Sequence, residues 1–64
     1  MVINGEAQKL TEGLTLADLV AQLGLQQRRI AVEVNRQIIA RTHYSARSLH
    51  EGDEVEIVHF VGGG

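Results

Sequence analysis

The sequence predicts a two-layer α+β domain, one helix packed against an aliphatic sheet. Three observations predict it. Leu16, Leu19, Val20 and Leu23 recur at i, i+3, i+4 and i+7, a single helical stripe. Short β-branched stretches with turn residues between them lie on both sides of that stripe. The chain has 64 residues, enough for one core and no more. The predicted order is strand, strand, helix, strand, strand, strand.

Met1 to Glu6 reads as a strand entering a turn at Asn4-Gly5, the dipeptide that best tolerates the positive φ of a type I′ hairpin. Ala7 to Leu10 is the expected return strand, weakly apolar and suited to an edge. Thr11 to Gly13 is a second turn. Thr15 is the expected N-cap of the helix. Asp18 three residues on completes a capping box, and Leu14 with Leu19 forms a hydrophobic staple. Gly24 stands where a left-handed C-terminal cap is expected. A helix of about two and a half turns is unstable alone, so its stripe is expected in the core.

Gln26 to Arg29 is a polar connection. A solvated loop is the favoured reading, and an acidic partner for Arg28 and Arg29 the alternative. Ile30 to Asn35 alternates, with Val32 and Val34 on one face and Glu33 on the other. Asn35-Arg36 suits a tight turn into Gln37 to Arg41. Residues 42 to 48 show no period and read as loop or one helical turn. Glu51 to Asp53 is a turn into the last strand. There Val55, Ile57 and His59 share one face, and Glu54, Glu56, Val58 and Phe60 the other. The glutamates mark that second face as solvated. Val58 and Phe60 then form an exposed apolar patch of the kind that marks interfaces, unless Phe60 folds over its own core edge or a bulge near His59 swaps the faces.

Composition excludes several function classes. Net charge is −2 with neutral His, which disfavours nucleic acid. There is no Cys for a disulfide or thiolate zinc site, and the spacing of His43, His50 and His59 fits no metal motif. The only aromatics are Tyr44 and Phe60, so an aliphatic core is expected. No apolar run nears the ~20 residues of a membrane span, and no signal-like segment opens the sequence. The expectation is a cytoplasmic protein with no membrane partner. No phosphate loop, nucleophile elbow or carboxylate pair is present. The acidic group Glu51, Asp53, Glu54 and Glu56 beside the last strand reads as a solvated face. Docking to a basic partner surface is the alternative.

The last strand runs straight into Gly62-Gly63-Gly64. Glycines at a terminus ordinarily fray. Here they extend a predicted strand without a linker, and residues lacking Cβ can enter a channel that excludes others. The expected division is a domain over 1–61 and a flexible glycine tail over 62–64.

Asn4-Gly5-Glu6, Thr15-Leu16-Ala17-Asp18-Leu19, Val34-Asn35 to Ile39, and Glu51 to Val58 followed by Val61-Gly62-Gly63-Gly64 occur in one order over nearly the whole chain. In these motifs the sequence resembles the small sulfur carrier proteins of thiamine biosynthesis, the ThiS type. The resemblance implies a ubiquitin-like β-grasp fold with a mixed sheet. It implies a carrier and co-substrate instead of an enzyme, with no bound cofactor and no catalytic side chains. A ThiF-type adenylyltransferase would use ATP to adenylate the carboxylate of Gly64. Sulfur from a donor such as a cysteine desulfurase would convert the adenylate to a thiocarboxylate, which a ThiG-type thiazole synthase would consume. Gly62, Gly63 and Gly64 would enter the partner active site, and Val58, Phe60 and Val61 would contact the partner. The small subunit of molybdopterin synthase resembles the same pattern but usually carries prolines before its tail, and this chain has none. A passive ubiquitin-like binding module is the other alternative.

Overall fold

The computed structural model describes residues 1–60. The expected domain boundary after Val61, and residues Gly62, Gly63 and Gly64, lie outside the described residues. The elements are β1 (Val2–Ile3), β2 (Glu6–Ala7), α1 (Leu16–Gln22), β3 (Ile30–Val34), β4 (Gln37–Ile39), a 3₁₀ helix (Arg41–Ala46) and β5 (Glu54–His59). The order is the predicted one, with the 3₁₀ helix added.

The strands form one mixed sheet in the order β2-β1-β5-β3-β4. β5 is central. It runs parallel to β1, with Val2 beside Glu54, and antiparallel to β3, with Val32 beside Ile57 and Val34 beside Val55. Each outer hairpin turns through positive φ. Asn4 and Gly5 (50° and 84°) join β1 to β2, and Asn35 and Arg36 (52° and 67°) join β3 to β4. That is the backbone a two-residue type I′ hairpin requires. Positive φ is costly for Arg36, and the side chain of Asn35 fixes this turn from outside. Its amide donates to Asp53 Oδ1 at 2.9 Å, and its Oδ1 accepts from Glu54 N at 3.0 Å. Asn4 acts likewise on the other flank of β5, its Oδ1 accepting from Ile57 N at 2.8 Å. Two turn asparagines thus extend the backbone ladder of the central strand.

α1 follows its local code at both ends. Thr15 Oγ1 accepts from Asp18 N at 3.1 Å while Asp18 Oδ2 accepts from Thr15 N at 3.0 Å, the reciprocal capping box. At the other end Gly24 takes φ 73°. Leu25 N donates to Val20 O and Gly24 N to Ala21 O, both at 3.0 Å, which is a Schellman closure. Leu16, Leu19 and Val20 are buried with Leu14, Ile30, Val32, Val34, Leu49, Val55 and Ile57 in one cluster under the helix. Alternation along β3 and β5 fills that face of the sheet.

Four expectations need correction. Leu23 fits the periodicity of the buried stripe but is 46% exposed, because the helix closes at this residue and the Schellman turn swings the chain away. Residues 42–48 are not loop or a single turn. The 3₁₀ helix starts at Arg41 and buries Tyr44, so the core is not purely aliphatic. The return strand is only Glu6–Ala7, fully exposed at the sheet edge. β4 ends at Ile39, two residues short of Arg41, where the 3₁₀ helix takes over. Among the described residues no helix is long and apolar enough to cross a membrane.

Candidate functional site

The site is the end of β5, where the chain leaves the sheet. Alternation decides what surrounds it. Val55 and Ile57 point under the helix, Glu54, Glu56 and Val58 stand on the uncovered face, and Phe60 follows just past the end of the strand. Val58 and Phe60 are 53% and 58% exposed, so Phe60 does not fold back over the core. Across the same face Val58 sits beside Ala31 of β3, and Glu33 beside Ile38 of β4. Ile38 is 76% exposed and adds a further apolar side chain to that face, in the row of Glu33 and Glu56. Sequence reasoning missed it. The signal was present, because two adjacent isoleucines in a strand must face opposite ways and Ile39 is the half-buried one.

His59 lies on the helix face as expected, beside Ile30 at the open end of the sheet, and is exposed. Among the described residues no three His, Cys, Asp or Glu side chains gather as a metal site.

The loop before β3 reaches the same end. Phe60 N donates to Arg29 O at 3.1 Å, which ties the last described residue to the arginine loop. Arg41 clamps that loop. Its Nη1 donates to Gln26 O at 3.1 Å and its Nη2 to Arg28 O at 2.7 Å, and its guanidinium carbon lies 5.6 Å from the Tyr44 ring centre. Arg28, Arg29, Ile30, Arg41 and Phe60 line a shallow open cleft.

The acidic group does not adjoin the exit. A strand rises about 3.3 Å per residue, so Glu56 lies roughly 13 Å and Glu54 roughly 20 Å back along β5 from Phe60. Asp53 is not a solvated acid at all. It is buried at the turn into β5, where Oδ2 accepts from His50 N at 2.8 Å and lies 3.7 Å from Arg47. Burial pushes this carboxyl upward. The Asn35 and His50 hydrogen bonds and the charges of Arg47 and His50 outweigh it, holding the group below its ordinary 3.8. A carboxyl lowered by folding stabilises the fold above its unfolded pKa, and that contribution is lost as pH falls through the folded one. The wild-type urea midpoint is therefore expected to hold through neutral pH and fall below pH ~4. Asp53→Asn should be less stable than wild type at pH 7, with the gap narrowing below pH ~4; a gap independent of pH would contradict this role.

The ThiS family model matches residues 1–64. This chain belongs to the ThiS family. It is 44% identical over 50 residues to the sulfur carrier protein ThiS of Bacillus subtilis, covering 78% of this chain and 76% of that one. Its fold superposes on the crystal structure of the thiamine biosynthesis protein ThiS of Geobacter metallireducens with TM-score 0.80 at 29% identity, covering 98% and 96% of the two chains. The fold is the expected β-grasp. The chain is also 39% identical over 64 residues to a thiazole synthase of Paramagnetospirillum magneticum, of which it spans 20%. A second thiazole synthase, from Magnetococcus marinus, is 42% identical over 62 residues and matched over 19% of its length. A ThiS-like segment thus forms about a fifth of each of those two proteins.

Proposed function

We propose that this ThiS-family chain carries sulfur as a thiocarboxylate on the terminal carboxylate of Gly64. The observation that supports the reading is that the ThiS family model matches residues 1–64, a span that takes in Gly62, Gly63 and Gly64. An α-carboxylate is ionised at neutral pH and is a poor acceptor until one oxygen becomes a leaving group. A ThiF-type adenylyltransferase supplies this. The carboxylate attacks the α-phosphate of ATP, pyrophosphate leaves, and an acyl adenylate forms. The terminal sulfur of a persulfide, drawn from a donor of the cysteine desulfurase type, then bonds to the carbonyl carbon as the bond to the AMP oxygen breaks and AMP leaves. A thiol reduces the resulting acyl disulfide and is itself oxidised to a disulfide, which releases the thiocarboxylate.

The partner acts on the chain, and the chain contributes a shaped handle. Gly62, Gly63 and Gly64 enter the partner's active site, while Val58, Phe60 and Val61 press the uncovered sheet face against it. A ThiG-type thiazole synthase is the sulfur acceptor, a reading supported by the thiazole synthases that contain a similar segment. No side chain of this chain need act as acid, base or nucleophile.

Complementation tests the pathway. The full chain is expected to restore growth of a bacterium lacking its own ThiS on medium without thiamine, and to leave a strain lacking the molybdopterin synthase small subunit uncorrected. Rescue of the second strain alone would assign the chain to the molybdenum cofactor.

A further inference from the structure

We propose that Arg28 and Arg29 form a cationic docking collar for a carboxylate-bearing rim around the partner's tail-entry channel. The inference rests on the carrier reading above and adds the polarity of the partner surface. Its basis is how charge is divided along β5. The acids of the uncovered face, Glu33, Glu54 and Glu56, lie toward the start of the strand, with Glu33 directly beside Glu56. The exit end carries arginines. Net charge is −2 overall, yet the positive charge gathers where the chain leaves the sheet.

The arginines at that end have distinct tasks. Arg41 spends its guanidinium on the carbonyls of Gln26 and Arg28 and on the Tyr44 ring, so it holds the loop in shape. Arg28 and Arg29 are exposed. Among the described residues the one ion pair is Arg47–Asp53, so neither Arg28 nor Arg29 is neutralised by an acid there. Their position is fixed relative to the exit, because Phe60 N is bonded to Arg29 O at 3.1 Å. A protein that docks at this end of the sheet therefore meets Arg28 and Arg29 beside Phe60. Two exposed guanidiniums with no acid partner among the described residues favour carboxylates there, because like charges would repel and an apolar rim would strip their water without replacement. Complementary charge of this kind chiefly raises the association rate.

The test is the association rate of the full chain with a ThiF-type adenylyltransferase and a ThiG-type thiazole synthase, measured by stopped flow at two salt concentrations. The double variant Arg28→Glu, Arg29→Glu is expected to associate at least tenfold more slowly with one or both enzymes in about 0.05 M salt. In about 0.5 M salt the rates should converge, with dissociation little changed. Arg28→Gln, Arg29→Gln should fall between wild type and reversal, and circular dichroism reports whether each variant is folded. Wild-type rates for the reversal variant with both enzymes at low salt would overturn the collar and leave the carrier reading standing. If the wild-type chain binds neither enzyme, the carrier reading falls and the collar with it.

Discussion

A chain ending at Gly63 is expected to show no ATP–pyrophosphate exchange with a ThiF-type adenylyltransferase, while its fold and urea midpoint match those of the full chain. The shortened chain still ends in a carboxylate, so the expected loss comes from distance. One residue of extended chain spans about 3.3–3.6 Å. In-line attack on a phosphorus atom demands near-contact geometry, and a misplacement of about 1 Å is enough to cost 100-fold. A shift of a full residue should reduce exchange to background. Folding should not change, because the core cluster lies within residues 1–57. Phe60→Ala separates carrier from passive module. In the carrier it should weaken docking and leave exchange measurable at high protein concentration. In a passive module it would abolish binding, and removal of the glycine would change nothing.

Leu16→Ala is expected to remove most of the stability of the domain. Leu16 is completely buried at the first turn of α1. Its backbone is pinned as well, since Leu16 N donates to Arg47 O at 2.9 Å, so the site cannot readily collapse around a smaller side chain. Truncating a buried leucine costs about 2–5 kcal/mol. A 64-residue chain at roughly 0.05–0.15 kcal/mol per residue has about 3–10 kcal/mol in total. Each kcal/mol lowers Tm by about 4–8 °C at this size, so a fall of at least about 8 °C is expected. Calorimetry showing a fall under about 2 °C would mean that the helix does not anchor the core.

What could be read from the sequence was what neighbouring residues encode. Thr15, Asp18 and Gly24 specify both ends of α1 within the segment itself, and each makes the predicted bonds. The faces of β5 follow from alternation, because Glu56 can lie only on the solvated side. Asn4-Gly5 announces its turn because few residue pairs accept positive φ twice, whereas at Asn35-Arg36 only the asparagine is suited to it. Contacts between distant segments were not legible. Nothing local shows that Arg41 reaches back to the carbonyls of Gln26 and Arg28, so the arginine cluster at the exit went unrecognised. Nothing local places Asp53 between Asn35 and Arg47, so it was grouped with surface acids. Leu23 fits the helical period but falls at the cap, where the period ends. The central place of β5 was not legible, because pattern alone does not rank strand orders.

The most direct test of the central claim is the intact mass of the full chain after incubation with a ThiF-type adenylyltransferase, ATP and a sulfur donor. The account predicts a gain of about 16 Da, one oxygen exchanged for sulfur, located by fragmentation at Gly64 and absent when ATP is omitted. An unchanged mass with an adenylyltransferase that thiolates its own carrier under the same conditions, or added sulfur located on any other residue, would contradict it.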